Sequence, residues 1–397
     1  MNYSKKAMNI TPSITLAITA KAKELKGAGV DVVSFGAGEP DFNTPKNIMD
    51  AAIKSMEEGK TKYTPTSGII ELREAICKKL KEDNNLSYNS NQIIVSTGAK
   101  QCLADAFMAI LNPGDEVIVP IPYWVSYPEL IKLADGVPVF VEGKEENDYK
   151  YTLESLNKVV NDNTKAIIIN SPNNPTGTVY SIDELKEIAE FAQKHDLIII
   201  SDEIYEKLIY DGKKHVSVAS LSEDAYNRTI VINGFSKSYA MTGWRLGYAA
   251  GNAEVIKLMT SVQSHVTSNT NSIAQYAGVE ALNWPKDEIE KMVKKFEERR
   301  NLMIDRIKSI TGLSIIRPEG AFYVMINLEN YLGKSINENV INNSVDFSRE
   351  LLEHEKVAVI PGSAFGLDKY IRLSYATSEE LILKGLDRIE SFLNKLK

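Results

Sequence analysis

The chain is poor in several features on which whole classes of proteins depend. Two cysteines among 397 residues are too few for a disulfide framework, and the four histidines show no metal-ligand spacing. No apolar run approaches the roughly 20 residues that a membrane-spanning helix needs, and the N-terminal segment contains no unbroken apolar stretch of secretory length. These absences predict a cytoplasmic protein with no membrane contact and no metal site.

Basic residues are not in excess either. Lys and Arg number 46 against 53 for Asp and Glu, which gives a formal net charge of -7 at pH 7. Domains that bind nucleic-acid phosphates usually carry a basic face, so this balance argues against a nucleic-acid partner. The composition, 43% hydrophobic and 25% charged, allows a large core, and the length predicts one large and one smaller domain.

Between about residues 90 and 250, short β-branched runs alternate with longer segments of helical period. This alternation is typical of βαβ units, so it predicts an α/β fold with a mostly parallel central sheet flanked by helices. The predicted strands are Gln92–Ser96, Glu116–Pro120, Ala166–Asn170, Leu197–Ser201, Thr229–Asn233 and Tyr248–Gly251.

The C-terminal part has a different pattern. A charged helical segment over Glu288–Lys308 precedes short apolar runs in GAFYVMINL, VAVIPG and YIRLSYA, which predict a smaller α+β domain. Ile14–Leu25 also has helical spacing. We expect residues 1–45 to form an N-terminal arm and part of the small domain, 46–286 the large cofactor-binding domain, and 287–397 the small C-terminal domain.

Polar residues of catalytic interest follow three of the predicted strands. Asn174 follows the first in SPNNPTG, Asp202 and Tyr205 follow the second in DEIY, and Ser236 and Lys237 follow the third in FSK. Ligands of open parallel sheets bind beyond the carboxyl ends of the strands. We therefore expect these side chains to converge on one rim of the sheet.

These residue types suit a pyridinium aldehyde. Lys237 can form an imine, and the carboxylate of Asp202 can keep the ring nitrogen protonated so that the ring withdraws electrons. Tyr205 and Asn174 can donate hydrogen bonds to the ring oxygen. Trp124, in IPYWVSYP after another strand, can stack on the ring.

A phosphate site is predicted beside this set. The turn TGAK ends a strand and opens a helix, so the backbone N–H groups at Gly98, Ala99 and Lys100 can hold a phosphate dianion. Arg245, eight residues after Lys237, can add a bidentate pair of hydrogen bonds.

The motifs GAGEPD, KY, NSPNNPTG, SDEIY, FSKSYAMTGWRLGY and RLSYATS occur in this order from about residue 36 to 378. In this series the chain resembles the class I/II (fold type I) pyridoxal-phosphate-dependent aminotransferases, and in particular their bacterial aspartate aminotransferase subgroup. The resemblance implies the fold type I architecture, pyridoxal 5'-phosphate as cofactor, and transfer of the amino group of an acidic amino acid, L-aspartate, to 2-oxoglutarate.

The resemblance also assigns roles in substrate binding. It implies that Arg372, helped by Asn174 and the backbone of Gly38, binds the substrate α-carboxylate, and that Trp124 is the stacking aromatic. Lys100 and Thr15 then lie near the substrate side chain, where the lysine cation favours a dicarboxylic donor. Tyr63 of the KY motif is expected to reach the cofactor phosphate of the neighbouring subunit, which implies a homodimer.

One position departs from the family pattern. Many relatives carry a hydroxyl residue three positions before the lysine, where this chain has Gly234. We expect Ser236 or backbone donors to replace that phosphate contact.

Other functions stay open to different degrees. A Rossmann dehydrogenase needs G-x-G-x-x-G at a first βα turn, and the sequence has none. A regulatory protein with an aminotransferase-like sensor needs a DNA-binding domain, for which the short segment before GAGEP is not expected to suffice. A pyridoxal-phosphate β-lyase, or an aminotransferase for aromatic or other neutral amino acids, uses the same framework, so both remain alternatives.

Overall fold

The computed structural model describes residues 2–283 and 287–397. The expected boundary between the large and C-terminal domains follows residue 286, which lies outside the described residues. The division of the chain at residues 45 and 286 therefore stays a prediction.

The strands form one large sheet, one smaller sheet and two short pairs. In chain order they are β1 (Val33–Ser34), β2 (Ile93–Ser96), β3 (Glu116–Ile121), β4 (Val137–Glu142), β5 (Thr164–Asn170), β6 (Ile198–Asp202), β7 (Thr229–Gly234), β8 (Gly247–Ala250), β9 (Ser314–Ile315), β10 (Tyr323–Asn327), β11 (Ser335–Ile336), β12 (Asn339–Val340), β13 (Val357–Ala358), β14 (Ile360–Pro361) and β15 (Tyr370–Ser374).

The helices cover these sheets. They are α1 (Lys5–Met8), α2 (Ile14–Gly27), α3 (Lys46–Glu57), α4 (Ile70–Asn84), α5 (Ala99–Ile110), α6 (Ser126–Leu133), α7 (Leu153–Asn157), α8 (Ile182–Lys194), α9 (Glu223–Arg228), α10 (Ala253–Val266), α11 (Ser272–Asn283), α12 (Asp287–Lys308), α13 (Ser344–Glu355) and α14 (Glu379–Lys395). Within the two described ranges, none is long and apolar enough to cross a bilayer.

The large sheet contains seven strands in the spatial order β2-β8-β7-β6-β5-β3-β4. β8 runs antiparallel to its neighbours β2 and β7, and the other pairings are parallel. The predicted mostly parallel sheet flanked by helices is therefore confirmed, and each strand predicted between residues 92 and 251 coincides closely with a strand of this sheet.

The sequence pattern missed β4. This strand lies at one end of the sheet, contains Pro138, and leaves Val137 and Phe140 exposed. Edge strands tolerate proline because one side of the strand has no ladder to complete. The inner strands were identified by continuous apolar runs. A strand at the edge of the sheet with exposed side chains does not need such a run.

Helices bury both faces of the large sheet. On β5, Ile168 packs in the cluster that contains α5 and α10, whereas Ile167 and Ile169 pack in the cluster that contains α8. Successive side chains of a strand point to opposite faces, so a strand covered on both sides needs an unbroken apolar run. The isoleucines of β5 meet that need.

The smaller sheet has the order β14-β15-β10-β9, with antiparallel pairings, and packs with α12, α13 and α14. β1, from the N-terminal part, pairs in parallel with β13, and Phe35 joins the core of this sheet. The segment after α2 therefore packs with C-terminal elements of the chain. The strands of the large sheet begin only later, at β2.

Candidate active site

A cavity of about 480 Å³ lies at the carboxyl ends of β5, β6 and β7, where the large sheet meets α2, the loop after β1, and the small sheet. All of the residues predicted for the site line this cavity except Gly98 and Tyr63. Gly98 lies directly beside it, against the side chain of Arg245. The convergence expected from strand ends is therefore present in the structure.

Asp202, the last residue of β6, is buried on the floor of the cavity. Its Oδ2 accepts a hydrogen bond of 2.6 Å from the hydroxyl of Tyr127, and its Oδ1 accepts one of 3.3 Å from the backbone N–H of Ile204. Burial raises the pKa of this carboxyl to about 6, and the Tyr127 hydrogen bond acts in the opposite direction. The carboxylate is thus placed to accept a proton or to neutralise a cation.

Lys237 follows β7 and points into the same cavity. Its Nζ donates to the carbonyl oxygen of Gly38 and lies 5.8 Å from the ring centroid of Tyr205. Burial lowers the pKa of this amine to about 8; the negative charge of Glu39 opposes the shift. A lysine with a lowered pKa is neutral more often and is therefore a better nucleophile.

Arg372 enters from β15 of the small sheet and is buried. Its Nη1 donates to Asn174 Oδ1 at 3.0 Å and its Nη2 donates to the carbonyl of Gly36 at 3.3 Å. Its Nε is buried without a hydrogen-bond partner among the described residues. A buried guanidinium with an unused N–H indicates a binding site for an anion.

Asn174 is held on the rim by its own backbone, whose N–H donates to Asn170 Oδ1 at 2.8 Å. Asn170 in turn donates from Nδ2 to the carbonyl oxygen of Asp202 at 3.0 Å. Because the side-chain oxygen of Asn174 accepts from Arg372, its NH2 group is the part that can donate to a ligand.

The turn before α5, predicted to bind a phosphate, lies beside Arg245 in the structure. Gly98 has φ of +84°, and a Cβ there would lie 2.5 Å from Arg245 Nη2, so glycine lets the guanidinium approach the start of the helix. Arg245 Nη1 donates to the Thr242 carbonyl at 2.9 Å, and Nη2 donates to the Thr97 carbonyl at 3.4 Å. The turn therefore places a helix N-terminus next to a guanidinium held by two backbone carbonyls, an arrangement that suits an anion.

Close packing explains why position 234 is occupied by glycine and not by a hydroxyl residue. A Cβ at this position would lie 2.9 Å from Gly247 Cα and 3.0 Å from the Leu246 carbonyl, so a hydroxyl side chain needs a shift of β8. Ser236, in contrast, lines the cavity. The hydroxyl of this segment is thus two positions further along the chain.

Trp124, Lys100 and Thr15 also line the cavity. Lys100 Nζ lies 5.0 Å from the Trp124 ring centroid, and burial together with the charge of Arg245 lowers the pKa of Lys100. No carboxylate of residues 2–283 or 287–397 forms an ion pair with Lys100. Lys100 is therefore a cation at this cavity without an ion-pair partner among the described residues, and it is available to a ligand.

Tyr63 is not brought into the cavity of its own chain. It lies between α3 and α4, and its side chain is 92% exposed. A large aromatic side chain that is almost fully exposed has no role in the packing of a single chain.

Sequence reasoning missed two phenols. Tyr127 contacts Asp202, and the Tyr323 hydroxyl lies 3.0 Å from that of Tyr205 while its ring centroid is 4.3 Å from Arg372 Cζ. Both belong to quoted motifs, IPYWVSYP and GAFYVMINL, but their contacts cross between separate elements. Only the pairing of β10 with β15 brings Tyr323 to Arg372, and no local spacing signals that.

The donor set fits pyridoxal 5'-phosphate. The site offers an amine for the aldehyde, a buried carboxylate for the ring nitrogen, an aromatic side chain beside them, and a helix N-terminus with an arginine for the phosphate. Beyond these groups, Arg372 Nε has no hydrogen-bond partner and Lys100 has no ion-pair partner among the described residues.

Comparisons with known proteins agree with this chemistry. Residues 30–389 match the family described as Aminotransferase class I and II. The chain is 53% identical over 390 residues to the aspartate aminotransferase of Bacillus sp. (strain YM-2), covering 98% of both proteins.

Two solved structures are similar along nearly the whole chain. The aspartate aminotransferase from Rhizobium meliloti has a TM-score of 0.96 at 41% identity, with 100% of both chains covered. The aspartate aminotransferase from Thermus thermophilus with maleate has a TM-score of 0.92 at 43% identity, covering 98% of this chain and 99% of that one. The chain therefore belongs to the class I and II aminotransferases, enzymes that depend on pyridoxal 5'-phosphate.

Proposed function

We propose that this aminotransferase moves the amino group of an acidic amino acid, L-aspartate above all, to 2-oxoglutarate. The observation that carries the proposal is the pair of cations in one cavity, Arg372 with an unused N–H and Lys100 without a counterion. Two cations suit a substrate with two carboxylates, because each charged group then finds a partner on leaving water.

The relative crystallised with maleate supports this choice. Maleate is a four-carbon dicarboxylate, like the carbon skeleton of aspartate, and the Thermus thermophilus enzyme that holds it is 43% identical to this chain. We propose that Arg372, with Asn174 and the backbone at Gly38, binds the α-carboxylate. Lys100, with Thr15, then binds the side-chain carboxylate.

When bound, pyridoxal 5'-phosphate supplies an aldehyde that forms imines and a ring that withdraws electrons from the substrate α-carbon. We propose that different residues around the cavity bind the ring nitrogen, the ring oxygen, the ring face and the phosphate of this cofactor. Asp202 pairs with the ring nitrogen, Tyr205 and Asn174 donate to the ring oxygen, and Trp124 covers one face of the ring. The phosphate is held by the backbone at Gly98, Ala99 and Lys100, and by Ser236 and Arg245.

Lys237 has two successive tasks in this proposal. With the cofactor bound, its Nζ would hold the aldehyde carbon as a Schiff base and would be released as an amine once the substrate amino group takes its place. That amine would lie beside the substrate α-carbon, placed to accept the α-proton and to donate it to a neighbouring carbon. A pKa of about 8 leaves part of the amine neutral near pH 7, as a general base requires.

We also propose a homodimer in which Tyr63 reaches the cofactor phosphate of the neighbouring subunit. The support is the 92% exposure of an aromatic side chain in the KY motif. The cytoplasmic location expected from the sequence stays a prediction.

A half-reaction screen tests the substrate proposal. Purified protein loaded with pyridoxal 5'-phosphate is mixed with single amino acids, and the loss of imine absorbance is followed without an acceptor. We expect aspartate and glutamate to react fastest. Rapid reaction of a neutral amino acid, with both acidic ones inert, would contradict the assignment of Lys100.

The products of the same mixtures separate the alternative reaction on this framework. An aminotransferase converts one equivalent of donor to its 2-oxo acid and keeps the nitrogen. Pyruvate and ammonia formed continuously from a single amino acid would instead indicate a β-lyase.

A further inference from the structure

Tyr127 contacts the acid of the cavity floor without a part in the reaction outlined above. It lies at the start of α6 and is 1% exposed, and its hydroxyl donates to Asp202 Oδ2 at 2.6 Å. We infer that Tyr127 is a positioning residue that holds Asp202 ionised and oriented, so that Asp202 keeps the cofactor's ring nitrogen protonated. This inference rests on the proposed pairing of Asp202 with that nitrogen.

The two oxygens of Asp202 have unequal partners. Oδ2 accepts the short bond from Tyr127, whereas Oδ1 accepts a long bond of 3.3 Å from the Ile204 N–H. A length of 2.6 Å is in the range of O–H···O⁻ bonds. Tyr127 therefore fixes one oxygen and leaves the other, weakly bonded, to accept from a ring N–H.

The donor is needed because the surroundings of Asp202 oppose its charge. Burial and the neighbouring carboxylate of Glu203 both raise the pKa of Asp202, while Lys237 lowers it. Tyr205 on the same turn and Cys102 of α5 also face this charge, and neither donates a hydrogen bond to it among the described residues. The phenol of Tyr127 is thus the close side-chain donor that favours the ionised form.

Packing holds the phenol in this position. The backbone N–H of Tyr127 donates to the Trp124 carbonyl at 3.0 Å, and the two rings meet edge to face at 5.3 Å. One turn of chain therefore carries both the aromatic side chain assigned to the ring face and the phenol that orients the acid.

The test removes the hydroxyl alone in Tyr127→Phe. Without the donor, the pKa of Asp202 rises further, so the variant's carboxyl stays protonated where the wild-type carboxyl is ionised. We expect the full-length protein, freed of cofactor, to bind pyridoxal 5'-phosphate about tenfold more weakly in mildly acid solution. The difference should shrink as the pH rises above the variant's pKa.

A cofactor analogue with carbon in place of the ring nitrogen makes the test specific. The wild type should bind this analogue no more tightly than Tyr127→Phe at any pH, because the ring N–H that pairs with the Asp202 carboxylate is gone. Tyr127→His, which restores a donor, should recover part of the affinity for the natural cofactor.

Tyr151→Phe is the matched control. Tyr151 is also a buried phenol, but its hydroxyl donates to the Ile168 carbonyl at 3.0 Å. Its loss should lower the stability of the fold and leave the pH dependence of cofactor binding unchanged. Equal losses for the natural cofactor and the analogue, or a Tyr127→Phe variant that binds like the wild type, would overturn the inference.

The variant Asp202→Asn tests the proposed pairing of Asp202 with the ring nitrogen separately from the role of Tyr127. If Asp202 faces the ring nitrogen, this variant loses affinity for the natural cofactor but not for the analogue. A variant that binds both normally would refute the proposed cofactor orientation itself, whatever Tyr127 does.

Discussion

The side of the cavity proposed to bind the cofactor and the side proposed to bind the substrate are built in different ways. The cofactor side, defined by Asp202, Tyr205, Lys237, Asn174 and the turn before α5, follows the ends of β5, β6, β7 and β2, which all belong to the large sheet. Asn170 and Asp202 are even direct register partners in β5 and β6. The register of parallel strands therefore fixes this side.

The substrate side draws its groups from distant parts of the chain. Thr15 comes from α2, Gly38 from the loop after β1, Lys100 from α5 and Arg372 from β15. The N-terminal groups reach this side because β1 pairs with β13 and Phe35 packs in the core of the small sheet. The comparison teaches that a change on the cofactor side should affect every substrate, whereas a change on the substrate side can affect one class of substrate.

The largest effect is expected from Lys237→Ala. The variant should lose the imine absorbance, and turnover with every amino acid should fall by at least the roughly 10²–10⁴-fold that general acid–base catalysis contributes. Absorbance and single-turnover rates measure both. Lys100→Met is the control that should keep the imine, and undiminished activity of Lys237→Ala would remove this residue from the reaction.

Arg372→Lys should come next. The change keeps the positive charge but loses the planar guanidinium that bonds Asn174 and faces the α-carboxylate, so kcat/KM should fall by about 100-fold. Acidic and neutral amino acids should be affected alike, because both carry the α-carboxylate. A loss confined to acidic donors would place Arg372 at the side chain instead.

Lys100→Met should separate substrate classes. We expect kcat/KM for aspartate to fall by about tenfold or more, with neutral donors little changed, because one charged hydrogen bond is lost. Lys23→Met is a matched control, since Lys23 lines the same cavity from α2 but is not the lysine that lies beside the Trp124 ring. Equal losses of kcat/KM for both variants, or for acidic and neutral donors alike, would contradict the role proposed for Lys100.

The smallest effect is expected from Tyr63→Phe. Loss of one hydroxyl donor to the phosphate should weaken binding of pyridoxal 5'-phosphate by up to about tenfold, with substrate preference unchanged. Equilibrium titration with the cofactor measures the affinity, and the molar mass in solution shows whether the protein is a dimer. A monomer of full activity and full cofactor affinity would contradict a site shared between subunits.

Sequence patterns were most informative where one local cause decides the structure. The inner strands follow from unbroken β-branched runs, and the rim residues follow from the rule that ligands bind at strand ends. β4 was missed because an exposed edge strand with Pro138 needs no such run. The antiparallel direction of β8 is set by its connection from β7, which composition does not record.

The residues that the sequence did not reveal depend on contacts between elements. Tyr127 reaches Asp202 from α6, and Tyr323 reaches Tyr205 and Arg372 from β10. Phenols buried in a core are common, so neither position differs from ordinary packing when seen along the chain. The role proposed for Tyr63 depends on a second chain, so it was reached through resemblance.

Chemical trapping of the Schiff base tests the central claim most directly. The protein loaded with pyridoxal 5'-phosphate is reduced with borohydride, digested, and its peptides are mapped by mass spectrometry. We predict a single stable pyridoxyl group, carried by Lys237 within FSKSYAMTGWR. A label on another lysine, or a fully active protein that cannot be labelled, would contradict the account.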